Sequence, residues 1–124
     1  MTIKEVAEKF SLSEDTLRYY EKIGLLSNIP RTSGGMRDYG EHELQTISFV
    51  KCMRSAGVSV EALKKYMSLL RQGNETVSER KEILKRERDL MKQRIDDMQE
   101  AYSKLCYKID KYDEIMLESE KKIK

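Results

Sequence analysis

The stretch Thr16-Leu17-Arg18-Tyr19-Tyr20-Glu21-Lys22-Ile23-Gly24-Leu25-Leu26 decides how the front of this 124-residue chain folds. At helical spacing Leu17, Tyr20 and Gly24 share one face, while Asp15, Arg18, Tyr19 and Lys22 fall on another at i, i+3, i+4 and i+7. Ser13 is placed to cap this helix, Glu14 and Asp15 sit at the positive end of its dipole, and Gly24 stops it. Upstream, Thr2-Ile3-Lys4-Glu5 has the form of a capping box. It predicts a helix through about Phe10 with Ile3, Val6, Ala7 and Phe10 on one face. Ser11-Leu12 leaves room only for a tight turn, so the two helices make a helix-turn-helix. Leu17 and Tyr20 then seat against Val6 and Phe10, and the polar face looks outward. Thr16 lies in the first turn, the part of a recognition helix that reaches base edges. Arg18 can bond a guanine or a phosphate bidentately, and the Tyr19 hydroxyl can reach a phosphate.

Leu25 to Tyr39 carries Pro30, Gly34 and Gly35 and reads as a small hairpin turning at Ser33-Gly34-Gly35. Arg31 is on one arm and Arg37 on the other, positioned with Tyr39 to grip a phosphate backbone. A third helix is expected over about Glu41–Ala56. A fourth starts at Ser59, with Val58 and Leu63 at its staple positions, and ends near Gly73. Gln72-Gly73-Asn74-Glu75 then divides the chain into a head, residues 1–72, and a tail, 76–124. The tail holds no Pro or Gly. Thr76-Val77-Ser78-Glu79 has the form of a second capping box, opening a helix that could run to residue 124, roughly 65–70 Å.

In heptads, position a of that helix holds Arg88, Ile95, Tyr102, Ile109, Met116 and Ile123. Position d holds Leu84, Met91, Met98, Leu105, Tyr112 and Ser119. This seam predicts a coiled coil between two copies of the chain. If the copies run antiparallel with Arg88 facing Ser119, the residue numbers in each layer add to 207. Every apolar position then meets an apolar residue or Tyr. A parallel pair would stack Arg88 on Arg88.

Composition excludes other classes. Charged residues make up 37% and hydrophobic ones 39%, with one His, two Cys and no Trp, a balance suited to exposed, salt-bridged helices. No apolar run approaches the ~20 residues of a membrane span, and no signal peptide follows Met1. Two Cys 54 positions apart form neither a disulfide framework nor a metal cluster, so a reducing cytosol, no metal and no cofactor are expected. There is no nucleophile–base set and no phosphate-binding Gly loop, so no enzyme is expected. Residues 1–57 carry eight basic and eight acidic side chains and the rest sixteen and fourteen. Any nucleic-acid signal must therefore be local.

Ile3-Lys4-Glu5-Val6-Ala7-Glu8-Lys9, the Thr16–Leu26 stretch and Gly35-Met36-Arg37-Asp38-Tyr39 closely resemble the DNA-binding domain of MerR-type bacterial transcription regulators. The resemblance covers residues 1 to about 72, and the trailing helix fits it. Met36 departs from it, standing where the family usually has an aromatic residue. It implies a mainly α fold: a winged helix-turn-helix head, then a long dimerisation helix in an antiparallel coiled coil. It also implies a cytoplasmic bacterial homodimer that bends and untwists a pseudo-palindromic promoter for RNA polymerase. The candidate DNA contacts are Lys4, Ser13, Thr16, Arg18, Tyr19, Tyr20, Lys22, Arg31, Arg37 and Tyr39. The candidate dimer seam is Leu84, Met91, Ile95, Met98, Tyr102, Leu105, Ile109, Tyr112 and Met116.

Phe49-Val50-Lys51-Cys52-Met53-Arg54-Ser55-Ala56-Gly57 further resembles the thiol-based, aldehyde- and electrophile-responsive branch of the family. Cys52 is thereby the candidate effector-sensing residue. On the helical wheel it lies opposite Ile47, Val50 and Met53 and beside Ser48, Ser55 and Ala56, with Lys51 and Arg54 near in sequence. The competing assignment is a small buried hydrophobe at a helix junction. Family metal sites use Cys in a loop after the long helix, and no such loop or ligand-binding domain is expected here. Cys106 reads as packing and His42 as surface. Two alternatives stay open: a regulator that binds a small apolar ligand without a covalent bond, and a coiled-coil adaptor whose head binds protein.

Overall fold

The computed structural model describes residues 1–124 and contains six α-helices. They are α1 (Ile3–Phe10), α2 (Glu14–Lys22), α3 (Glu41–Ser55), α4 (Val60–Gln72), α5 (Val77–Asp110) and α6 (Leu117–Ile123). Their ends follow from local chemistry. The Thr2–Glu5 capping box is formed in both directions, at 3.2 and 2.9 Å. Ser11 takes the left-handed conformation that closes α1, at φ 54°. The Ser13 hydroxyl accepts from the Thr16 amide at 2.9 Å, and the Ser59 hydroxyl accepts from the Ala62 amide at 3.1 Å. Gly24, at φ +88°, lets the chain leave α2. An L side chain there would be strained.

Between α2 and α3 the hairpin shrinks to one antiparallel bridge, Arg31 with Arg37. The Gly35 amide donates to the Thr32 carbonyl at 2.9 Å, and the Thr32 amide to the Met36 carbonyl at 2.7 Å. The turn is thus Thr32–Gly35. Its arms are too short for named strands, because Pro30 lacks the N–H that would extend one of them.

The chain forms two compact units, Met1–Glu87 and Arg88–Lys124. In the first, Val6, Leu17, Leu25, Ile47, Val50 and Leu63 are fully buried, and Val58 and Met67 nearly so. This unit extends past the 1–72 boundary read from the sequence and takes in the first turns of α5. Hydrogen bonds explain why. The Thr76 hydroxyl donates back to the Leu69 and Gly73 carbonyls at 2.7 and 2.8 Å. Arg80 bonds Thr76 at 3.0 Å and lies over the Tyr66 ring. Glu87, buried, accepts from the Ser59 amide at 2.8 Å. The expected Thr76–Glu79 capping box does not form. Asn74–Thr76 is a 3₁₀ turn, and Thr76 points into the head.

The second unit corrects the expectation of one helix to residue 124. Helix α5 stops at Asp110, Lys111 leaves helical geometry, Tyr112–Met116 forms a π turn, and α6 follows. The Tyr112 hydroxyl donates to the Glu120 carboxylate across the π turn, and Ile115 and Met116 are half-buried there. A π turn resets helical phase. Tyr112 and Met116 therefore do not continue the α5 heptads.

Candidate nucleic-acid interface

Helix α2 turns Leu17 and Tyr20 into the core and leaves Arg18, Tyr19 and Lys22 outward. Tyr19 is 50% exposed. Arg18 is held only by exposed neighbours on its own helix, Asp15 at 3.0 Å and Glu14 at 3.4 Å. Such surface pairs contribute about 0–1 kcal/mol, so the guanidinium can exchange them for a phosphate or a guanine edge at little cost. The Thr16 and Ser13 hydroxyls bond each other at 2.7 Å, at the start of the same helix. Lys4 is exposed on α1. The two arginines of the hairpin sit on paired positions of the single bridge. Arg31 is about half exposed and Arg37 is mostly covered.

Tyr20 is 8% and Tyr39 1% exposed, so both rings pack into the core, and the contact expected of Tyr39 is corrected. For Tyr39 the apolar ring outweighs the hydroxyl. Its Oη is buried without a hydrogen-bond partner, and burial pushes its pKa up. Its amide donates to the Met1 carbonyl at 2.8 Å, which fixes the residue against the start of α1.

The residue that sequence reasoning missed is Glu21. One carboxylate oxygen accepts from the Ile29 amide at 2.8 Å and the other from Arg37 Nε at 2.9 Å, with Arg31 at 3.9 Å. Burial opposes its charge, but the Ile29 amide and the two arginines outweigh burial and hold its pKa below the ordinary value. Its partners lie 8 and 16 residues away, and no local pattern announces them. Arg71, which ties α4 to the end of α2 through the Gly24 carbonyl at 2.7 Å, was missed for the same reason.

On α5, Met98, Tyr102, Leu105 and Ile109 are 71%, 62%, 59% and 63% exposed, and Ile95 is also exposed. Leu84, Met91 and Met116 are half-buried, and Tyr112 is exposed within the π turn. A row of large apolar side chains this open to water marks an interaction surface.

Cys52 is exposed in the single chain, in the last turns of α3. Its flanking cations are engaged elsewhere. Lys51 donates to the Phe10 carbonyl, and Arg54 donates to the Val58 carbonyl at 2.7 Å. Cys106 is half-buried and His42 exposed. No helix is long and apolar enough to cross a membrane.

Comparison with known proteins agrees with this geometry. The family described as MerR HTH family regulatory protein matches residues 1–70, and the one described as MerR, DNA binding matches residues 44–105. The HTH-type transcriptional regulator AdhR of Bacillus subtilis (strain 168) is 49% identical over 88 residues, covering 71% of this chain and 63% of its own length. The match thus spans less than two thirds of that relative. The crystal structure of a MerR family transcriptional regulator from Listeria monocytogenes superimposes with a TM-score of 0.79 at 45% identity, covering 99% of this chain and 93% of that one. HiNmlR, a MerR family regulator lacking the sensor domain, was crystallised bound to promoter DNA. It is 29% identical with a TM-score of 0.72, covering 94% of this chain and 92% of its own. The outward face of α2, the short hairpin beside it and these likenesses lead to one assignment: the chain belongs to the MerR family of helix-turn-helix transcription regulators, which bind DNA.

Proposed function

We propose that two copies of this chain pair through α5 and read a pseudo-palindromic promoter in the bacterial cytoplasm, remodelling it for RNA polymerase. The observation that carries this reading is the conjunction of a cation-bearing α2 face with an apolar α5 stripe left open in the single chain. Thr16, Arg18, Tyr19 and Lys22 are assigned to the groove and its phosphates. Lys4, Ser13, Arg31 and Arg37 are assigned to the flanking backbone. Ile95, Met98, Tyr102, Leu105 and Ile109 form the centre of the seam, with Leu84 and Met91 towards the head. A two-fold pair of heads asks for a two-fold operator. Bending the promoter costs several kcal/mol, so a small change in head geometry is enough to switch transcription.

The stimulus is assigned to Cys52. HiNmlR, described as lacking the sensor domain, was crystallised bound to promoter DNA, and a thiol in the head is a sensing element that needs no added domain. Cys52 offers an exposed sulfur there. Its thiolate adds to an aldehyde carbonyl carbon: a C–S bond forms, the carbonyl electron pair moves to oxygen, and the oxygen takes a proton. The product is a hemithioacetal. The test is transcription from the cognate promoter with and without methylglyoxal, with mass spectrometry of the protein. Wild type is expected to gain the adduct and change its transcription. Cys52→Ser is expected to bind the operator within about twofold of wild type, as an exposed substitution should, and to lose the response.

A second reading, a non-covalent apolar ligand, is favoured by a groove of about 660 Å³ between α4 and α5. Leu69 and Ile83 line it among Lys64, Lys65, Glu79 and Arg86. The same experiment separates the two, because a regulator switched only by a groove ligand leaves its transcription unchanged by methylglyoxal even where the Cys52 adduct forms.

A further inference from the structure

Glu21 presents an electrostatic puzzle. It lies on the DNA-reading helix α2, and a carboxylate among cations that meet a polyanion weakens their attraction to it. Its side chain is nevertheless only 12% exposed and fully engaged with the hairpin. One oxygen holds the Ile29 amide, on the arm before the turn, at 2.8 Å. The other holds Arg37, on the arm after the turn, at 2.9 Å, with Arg31 at 3.9 Å. The arms are joined to each other by the Arg31–Arg37 bridge and by the Asp38 amide donating to the Pro30 carbonyl at 2.7 Å. Both arms thus converge on one carboxylate of α2. The bond to Arg37 runs through Nε, so the carboxylate does not occupy the terminal Nη fork.

We propose that Glu21 is a positioning residue for DNA binding: it fixes the hairpin and Arg37 at a set angle to α2, so that helix and wing reach the backbone of one duplex together. This rests on the reading that Arg31 and Arg37 contact DNA phosphates. Charge alone and positioning predict opposite signs. If Glu21 only adds negative charge, Glu21→Gln strengthens operator binding. If it positions the wing, the same nearly isosteric change weakens binding.

The experiment is an operator titration of the full chain at several salt concentrations, for wild type, Glu21→Gln, Arg37→Gln and the double variant, with melting curves and hydroxyl-radical footprints. Glu21→Gln is expected to bind roughly tenfold more weakly at about 0.1 M salt, and the slope of log K against log salt to become shallower by about 0.9, the value of one lost phosphate contact. The footprint should lose protection on the wing side and keep it in the groove read by α2. Arg37→Gln should weaken wild type but add little to Glu21→Gln, since both remove one contact. Equal or tighter binding by Glu21→Gln overturns the proposal. So does additivity in the double variant, which exposes a purely structural loss even where Glu21→Gln melts early. If Arg37→Gln leaves affinity and salt slope at wild-type values, the wing reading itself fails. If only Glu21→Gln is without effect, the positioning role alone fails.

Discussion

Leu105→Glu is expected to leave the chain monomeric and to remove tight binding to a two-fold operator. In the proposed antiparallel pair Leu105 faces Tyr102 of the second copy, and symmetry applies the change twice. Each lost leucine forfeits about 1.5–3 kcal/mol of burial, before any cost of enclosing two carboxylates. At 1.4 kcal/mol per decade this weakens dimerisation by roughly 10²–10⁴-fold. Light scattering at micromolar protein checks the mass, and operator titration checks the consequence. The head should be untouched, because Leu105 lies outside the Met1–Glu87 unit and is 59% exposed in the single chain. An unchanged mass would remove the seam from the account. A lowered head melting temperature would show that Leu105 supports its own chain instead.

Leu17→Ala is expected to disable the protein through folding and not through contact. Leu17 is fully buried beneath the recognition face, between Thr16 and Arg18. Truncating such a leucine costs about 2–5 kcal/mol. For a unit of this size each kcal/mol lowers the melting temperature by about 4–8 °C, so the head should melt roughly 8–40 °C earlier. Circular dichroism melting beside operator titration distinguishes the routes. Lost affinity with an unchanged melt would mean that Leu17 faces the DNA and that the seating of α2 is wrong.

The sequence announces this fold where the determinants are local. Thr2 with Glu5, Ser13 with Thr16 and Ser59 with Ala62 are caps within three residues of their partners, and α1, α2 and α4 begin where these imply. Local reading falters where a residue has two characters. Tyr20 and Tyr39 look like phosphate contacts by their hydroxyls, yet packing takes their rings into the core. It falters again where a strong local motif competes with a tertiary one. Thr76 fits a capping box, but Gly73 at φ +111° folds the chain back and delivers the hydroxyl to the Leu69 and Gly73 carbonyls. Glu21 and Glu87 act on groups 8 to 28 residues away, a range at which spacing carries no signal.

The end of α5 has a consequence for the seam. Neither Pro nor Gly marks the break at Lys111, and the heptad pattern passes through it unaltered. Of the layers adding to 207, only Met98 with Ile109 and Tyr102 with Leu105 lie inside α5 on both copies. The layers using Tyr112, Met116, Ser119 and Ile123 rest on a continuous helix that the chain does not form. The proposed dimer is therefore centred on this short segment, whose Met98, Tyr102, Leu105 and Ile109 are 59–71% exposed in the single chain.

Oxidative crosslinking across that segment tests the pairing most directly. In a Cys52→Ser, Cys106→Ser background, Met98→Cys and Ile109→Cys proteins are oxidised separately and then after mixing. Antiparallel pairing predicts rapid disulfide formation only in the mixture, between the two different variants. Efficient crosslinking of each variant with itself, and none across the mixture, would mean parallel chains and would contradict the account.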